Sequence, residues 1–267
     1  MRTGAIRLFR FAGIEVFLHY SWFLVAAIFM TDYVRRYESP VWGVLEYISV
    51  FVIVLIHEFG HALACRQVGG VANRIVLWPL GGIAFVNPPR RPGAYLWSIA
   101  AGPLVNVILL PVLAFVSLLA QASMPGSDVA IFCRHLNFIN ALLLGFNLLP
   151  VFPLDGGQIV RGLLWFPFGE IRSLQIASVI GLLGGALIGI VGLMVGLAGS
   201  SAGWWWVVLG FFVLSRAWYG WQQAKAMIVA SKMGIPISPS PTAPENPVPR
   251  QASLAPRHPD RDRWIPR

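Results

Sequence analysis

Charge is what this sequence has least of. Asp, Glu, Lys and Arg make up 12% of its 267 residues, about half the share found in an average soluble domain. Hydrophobic residues make up 57%, and the mean hydropathy is +0.68. An ordinary globular protein of 29.3 kDa cannot cover its surface with so few charges or hide so many apolar runs inside, and that class is excluded. Cysteine is scarcer still. Cys65 and Cys133 are the only two, and no disulfide framework is implied. No small-residue cleavage site follows the apolar run around Met30, so that run reads as an uncleaved span and not as a removable leader. Acidic residues are few, leaving a net charge of +9, but the basic residues are spread over loops and not gathered into a patch. Nucleic acid is therefore not the expected partner.

What the sequence has is length of apolar chain. A bilayer core of about 30 Å needs about 20 apolar helical residues to cross it. Six windows meet that need, at residues 15–32, 43–66, 95–121, 129–150, 171–198 and 203–224. The expected fold is an all-α polytopic membrane protein of about six transmembrane helices, with a short broken helix over 155–166 after the fourth. Arg2, Arg7 and Arg10 precede the first window. Arg66, Arg74, Arg90 and Arg91 follow the second, and Lys225 and Lys232 follow the sixth. The other loops are poorer in arginine, which puts both termini in the cytoplasm of a multi-pass cell-membrane protein. The expected division is a cytoplasmic segment over 1–14, a six-span domain over 15–228 and a tail over 234–267. The tail holds nine prolines in 34 residues and too little apolar surface to offset the entropy of ordering it.

One cluster of ionisable groups sits where its flanks ask for hydrocarbon: "IVLIHEFGHALA" at 53–64. A charged side chain at mid-bilayer costs about 2.5–3.5 kcal/mol, so such groups are rarely idle. His57 and His61 are four apart and share a helix face, so they can hold one Zn²⁺ together. Glu58 lies one position round, where it can take a proton from water without filling a ligand position. A catalytic zinc site needs a third protein ligand, and the candidates are His19, His135, His258 or a carboxylate. His258 is in the tail, and His19 and His135 begin spans on opposite sides of the membrane. Asp155 is the better choice. It follows Pro150 and Pro153 and precedes Gly156–Gly157, in a broken stretch that membrane depth tolerates only against protein or a wet cavity. By the arginine distribution the cluster lies toward the cytoplasmic side.

These motifs together resemble the site-2 protease family of intramembrane zinc metalloproteases. The resemblance rests on HEFGH at 57–61, "AAGPLVN" at 100–106 and "NLLPVFPLDGG" at 147–157, and it covers roughly residues 5–225. It implies a six-span core whose second to fourth spans hold one zinc per chain through His57, His61 and Asp155. Glu58 is then the catalytic glutamate, and Asn147 the asparagine that steadies the substrate carbonyl. The implied activity is hydrolysis of a peptide bond within or near a transmembrane segment of a membrane-protein substrate. Inserted PDZ-type and C-terminal CBS-type domains, common in relatives, have no counterpart in this sequence.

Two further stretches suit that activity. "RIVLWPLGGIAFV" at 74–86 reads as two short β-rich runs around Pro79–Gly82, a hairpin or re-entrant loop too short to span. Its edge at Ile83, Ala84, Phe85 and Val86 is the candidate substrate strand, because a helical substrate must be extended before it is cut. The alternative is a loop that merely packs on the bundle. Gly181, Gly185, Gly189, Gly192 and Gly196 suit close helix packing first, a gate or a dimer face second. Asn106 reads as polar support near the site. A silent zinc-binding protein and a metal transporter are the rival functions. Spans otherwise nearly free of carboxylates argue against the transporter, and the intact Glu58 against the silent protein.

Overall fold

The structure, a computed structural model, describes residues 4–78 and 81–234. The Pro-rich tail, His258, Pro79 and Leu80 lie outside them. In chain order the elements are β1 (Ala5–Phe11), β2 (Ile14–His19), α1 (Ser21–Arg35), α2 (Pro40–Gln67), β3 (Val71–Trp78), β4 (Gly81–Asn87), α3 (Pro92–Ser123), α4 (Asp128–Asn147), α5 (Asp155–Leu197) and α6 (Ser201–Lys232).

Among the described residues, four helices are long and apolar enough to cross a membrane: α2, α3, α4 and α5. The expectation of six is thus met only in part, for two physical reasons. Residues 15–19, read as the opening of the first span, belong to strand β2, in which Ile14, Val16 and Leu18 alternate with Glu15, Phe17 and His19. That period of two is a strand signal, and it leaves α1 only 15 residues long, about 22 Å. Helix α6 runs for 32 residues, but Trp204–Trp206 and Arg216 lower its hydropathy.

The all-α expectation is corrected as well. A four-stranded sheet in the order β1-β2-β3-β4 accompanies the helices. β1 with β2 and β3 with β4 are antiparallel hairpins, while β2 and β3 run parallel, joined through α1 and α2. The stretch 74–86 is therefore one hairpin of this sheet. Ile14, Val16, Ile75 and Leu77, all fully buried, pack with Ala72 against Val54, Ala62 and Cys65 of α2. The sheet thus lies along the half of α2 that carries HEFGH. At the other end of α2, Glu46 is buried; Arg36 Nη1 donates to its Oε1 at 2.7 Å and the Tyr37 hydroxyl donates to Oε2.

The broken fourth helix appears as expected. α4 ends at Asn147, residues 148–154 are not helical, and α5 begins at Asp155. The expected short helix and the fifth span follow each other within α5, separated at a kink where Gly169 takes a non-helical φ 79° and ψ 171°, a conformation that a side chain would strain.

The fifth-span glycines serve internal packing. α5 and α6 lie so close that a Cβ at Gly203 would sit 2.2 Å from Gly196 N, and one at Gly210 would sit 2.6 Å from Gly189 Cα. No rotamer relieves a clash with backbone. Gly210→Ala should therefore destabilise the protein by about 1–3 kcal/mol, as overpacking does. Gly145→Ala, on a helix with open space around it, should be neutral or stabilising by about 0.5–1 kcal/mol. Thermal unfolding in mild detergent checks both, and equal midpoints for the two variants would contradict the close approach.

Candidate metal centre

α2 brings His57, Glu58 and His61 into the bundle on consecutive turns, all three nearly inaccessible. That requires α3 to come very near, and two glycines make room. A Cβ on Gly60 would lie 2.7 Å from the Ala101 carbonyl oxygen, and one on Gly102 would lie 2.2 Å from His61 Nε2. Asp155 arrives from α5 as its first residue. The preceding break doubles back so tightly that a Cβ on Gly156 would meet the Leu148 and Leu149 carbonyl oxygens at 2.4 Å, and one on Gly157 would meet Phe152 N at 2.2 Å. The glycines of HEFGH, AAGPLVN and PLDGG are spacers that let three segments converge.

At the convergence, His57 Nε2 lies 3.0 Å from Asp155 Oδ2 and 3.1 Å from His61 Nε2, and His61 Nε2 lies 3.4 Å from Asp155 Oδ2. Four ligands placed tetrahedrally at 2.0–2.1 Å from zinc are about 3.3 Å apart, so the separations suit that ion. The hydrogen bonding behind the rings points the same way. His61 Nδ1 lies 2.9 Å from the Ser98 carbonyl oxygen, which can only accept, so Nδ1 carries the proton. His57 Nδ1 lies 2.6 Å from Asn106 Oδ1. The orientation of that amide follows from its own partners: Asn140 Nδ2 donates to the Asn106 backbone oxygen at 3.0 Å, and Asn106 Nδ2 donates to Asn140 Oδ1 at 2.8 Å. Asn106 Oδ1 must therefore accept from His57 Nδ1–H. With both Nδ1 atoms engaged by outer acceptors, two Nε2 atoms and a carboxylate oxygen converge on one point. That donor set fits a cation, with the outer nitrogens engaged as metal-binding histidines require.

Among the described residues, His57, His61 and Asp155 are the group able to hold a metal ion. The other histidines are elsewhere. His19 stacks on Trp78 with ring centroids 3.8 Å apart and meets Ser21 Oγ at 2.6 Å; His135 Nδ1 lies 3.6 Å from Glu46 Oε2. Glu58 stays out of the cluster, its Oε2 accepting from Ala84 N at 2.8 Å, which ties β4 to the site. Asn147 is half-buried and ends α4, just ahead of the break. Ala84, Phe85 and Val86 lie on β4, the terminal strand of the sheet; Ile83 pairs there with Val76. Asn106 provides the expected polar support. Asn140 was not anticipated, although its seven-residue spacing from Asn147 puts both on one face of α4.

The comparisons agree with this geometry. Residues 46–191 match the model of peptidase family M50. A zinc metalloprotease of Methanocaldococcus jannaschii is 36% identical over 177 residues, which is 66% of this chain and 50% of that protein. The Rip3 protein of Mycobacterium tuberculosis is 29% identical over 230 residues, 80% of this chain and 58% of its own. The chain thus spans 50% and 58% of the length of these two relatives. The solved site-2 protease of Methanocaldococcus jannaschii superposes with a TM-score of 0.60 at 31% identity, covering 81% of this chain and 95% of that one. With the motifs, the metal-binding geometry and the family match in agreement, this chain belongs to peptidase family M50.

Proposed function

We propose that this chain is a zinc-dependent endopeptidase that hydrolyses a peptide bond within or beside a transmembrane segment of a membrane-protein substrate. The observation that carries the reading is the convergence of His57, His61 and Asp155 on one point with both Nδ1 atoms committed elsewhere. Zinc held by these three residues, one ion per chain, supplies a Lewis acid. Glu58, next to a ligand but bonded away from it, is the group that takes a proton from the attacking water and returns it to the leaving amine. Asn147, the last residue of α4 ahead of the break, is the residue we assign to steady the substrate carbonyl with its amide.

The edge of β4 is the proposed substrate cradle. A substrate unwound into a strand adds there by backbone hydrogen bonds, with Ile83, Ala84, Phe85 and Val86 facing it. The terminal position of β4 in the sheet and the Ala84 N–H turned toward Glu58 support this over a loop that only packs. On this reading cleavage takes place next to the proton acceptor.

For the membrane we propose a first crossing shared by β2 and α1. Trp22 at the start of α1 packs against Tyr47 and Phe51 of α2, while β2 runs along the inner half of α2. With α6 this completes an even number of crossings. It leaves the arginine-rich loops, both ends of 15–228 and the tail in the cytoplasm.

Three outcomes follow. Purified Glu58→Gln should keep about one zinc per chain while its cleavage rate falls at least 10²–10⁴-fold, whereas Asp155→Ala should lose metal and activity together. Wild-type cleavage by the Gln variant would sink the mechanism, and full zinc in Asp155→Ala would remove the third ligand. Ala84→Pro deletes the N–H aimed at Glu58 and should slow cleavage at least about tenfold with zinc content unchanged; an unaltered rate would favour the packing loop. Reporters joined ahead of β1 and after Gly234 should both register the cytoplasm, and opposite sides would break the even count.

A further inference from the structure

Asp155 can reach the histidines only if residues 148–154 keep their path, so whatever holds that path also aims the carboxylate. Backbone turns inside the break are short: Val151 N donates to Leu149 O at 2.7 Å and Leu154 N to Val151 O at 2.9 Å. Pro153, two residues before Asp155, has no N–H to contribute, and its carbonyl needs a donor. That donor is a side chain. Gln158 Nε2 donates to Pro153 O at 3.0 Å. Behind it, the Tyr95 hydroxyl donates to Gln158 Oε1 at 3.1 Å and Arg161 Nη1 donates to the Tyr95 oxygen at 3.2 Å.

The chain can run in one direction only. A guanidinium donates and never accepts, so the phenol oxygen must accept from Arg161 and turn its own proton to Gln158. A carbonyl accepts and never donates, so Gln158 must present Nε2 to Pro153 and Oε1 to Tyr95. Arg161 is in turn held by rings, its guanidinium carbon 4.8 Å from the Tyr95 centroid and 5.9 Å from that of Trp165. Among the described residues no carboxylate pairs with it, and its Nε is buried without a partner. The cation serves α3 and the rings, not an ion pair. Tyr95 belongs to α3, so the relay pins the break between α4 and α5 to the helix that also holds His57 and His61 through Asn106 and Ser98.

We propose that Arg161, Tyr95 and Gln158 form a one-way hydrogen-bond relay that fixes the Pro153 carbonyl and thereby aims Asp155 at the metal. They are positioning residues, set one stage farther out than Asn106 and the Ser98 carbonyl. The inference rests on Asp155 being the third ligand, as proposed above. Groups that orient metal ligands typically change affinity by 10–100-fold when lost, and an indirect support belongs at the low end, about tenfold.

The test uses the full chain in mild detergent, with zinc affinity read by competition against a chelator and thermal midpoints read on the metal-free protein. Asp155→Ala is the reference arm. Gln158→Met should weaken zinc binding about tenfold, and Tyr95→Phe by the same or less, with metal-free midpoints close to wild type. The double variant should be no worse than Gln158→Met, because both act through one bond, whereas independent effects would add. Cobalt loaded in place of zinc should show an altered visible spectrum in Gln158→Met. Unchanged zinc affinity in Gln158→Met, while Asp155→Ala loses zinc, overturns the relay. Additive losses in the double variant, or a lower metal-free midpoint with affinity intact, overturn it too. Zinc affinity unchanged in Asp155→Ala instead overturns the ligand assignment on which the relay rests.

Discussion

Two imidazole Nε2 atoms and a carboxylate oxygen lie 3.0 to 3.4 Å apart among nearly inaccessible side chains. Much of the structure around them keeps that arrangement in place. Each imidazole must be kept from turning its proton inward, so each Nδ1 has its own acceptor, the Ser98 carbonyl or Asn106. Asn106 cannot rotate because Asn140 reads both its side chain and its backbone oxygen. Such a polar network is affordable in an apolar interior only when every member is satisfied.

The same constraint explains where glycine is indispensable. Three segments must meet within the reach of short side chains, and a single Cβ at Gly60, Gly102, Gly156 or Gly157 would strike a neighbour at 2.2 to 2.7 Å. The sheet answers a different need. It covers α2 on the side away from α3, and β4 touches Glu58 through the Ala84 N–H. Glu58 is therefore tied to a strand, while His57 and His61 are held from behind by α3.

Where the sequence misled, the cause was composition. Hydropathy windows register how apolar a stretch is, not whether it is helix or strand. Glu15 to His19 therefore falls inside an apolar window although the alternation Ile14-Glu15-Val16-Phe17-Leu18-His19 is that of a half-buried strand. The antiparallel β1–β2 hairpin and the parallel pairing of β2 with β3 depend on partners brought together by α1 and α2. No local window can register such a pairing. Asn140 was overlooked for a related reason: one asparagine in an apolar helix has many uses until its partner across the bundle is known.

What the sequence determined by itself was the chemistry. A four-residue histidine spacing on a helix, a glutamate beside it and an aspartate behind a Pro- and Gly-rich break specify a zinc-type donor set through covalent order and helical period alone. Only the tertiary structure decided the protonation of each ring, the tie from Glu58 to β4, the number of helices apolar enough to span, and the relay from Arg161 to the break. These depend on which donor meets which acceptor across segments 26 to 66 residues apart in the chain. Such meetings are fixed by packing, because a buried polar group takes whatever partner the fold sets within about 3 Å of it.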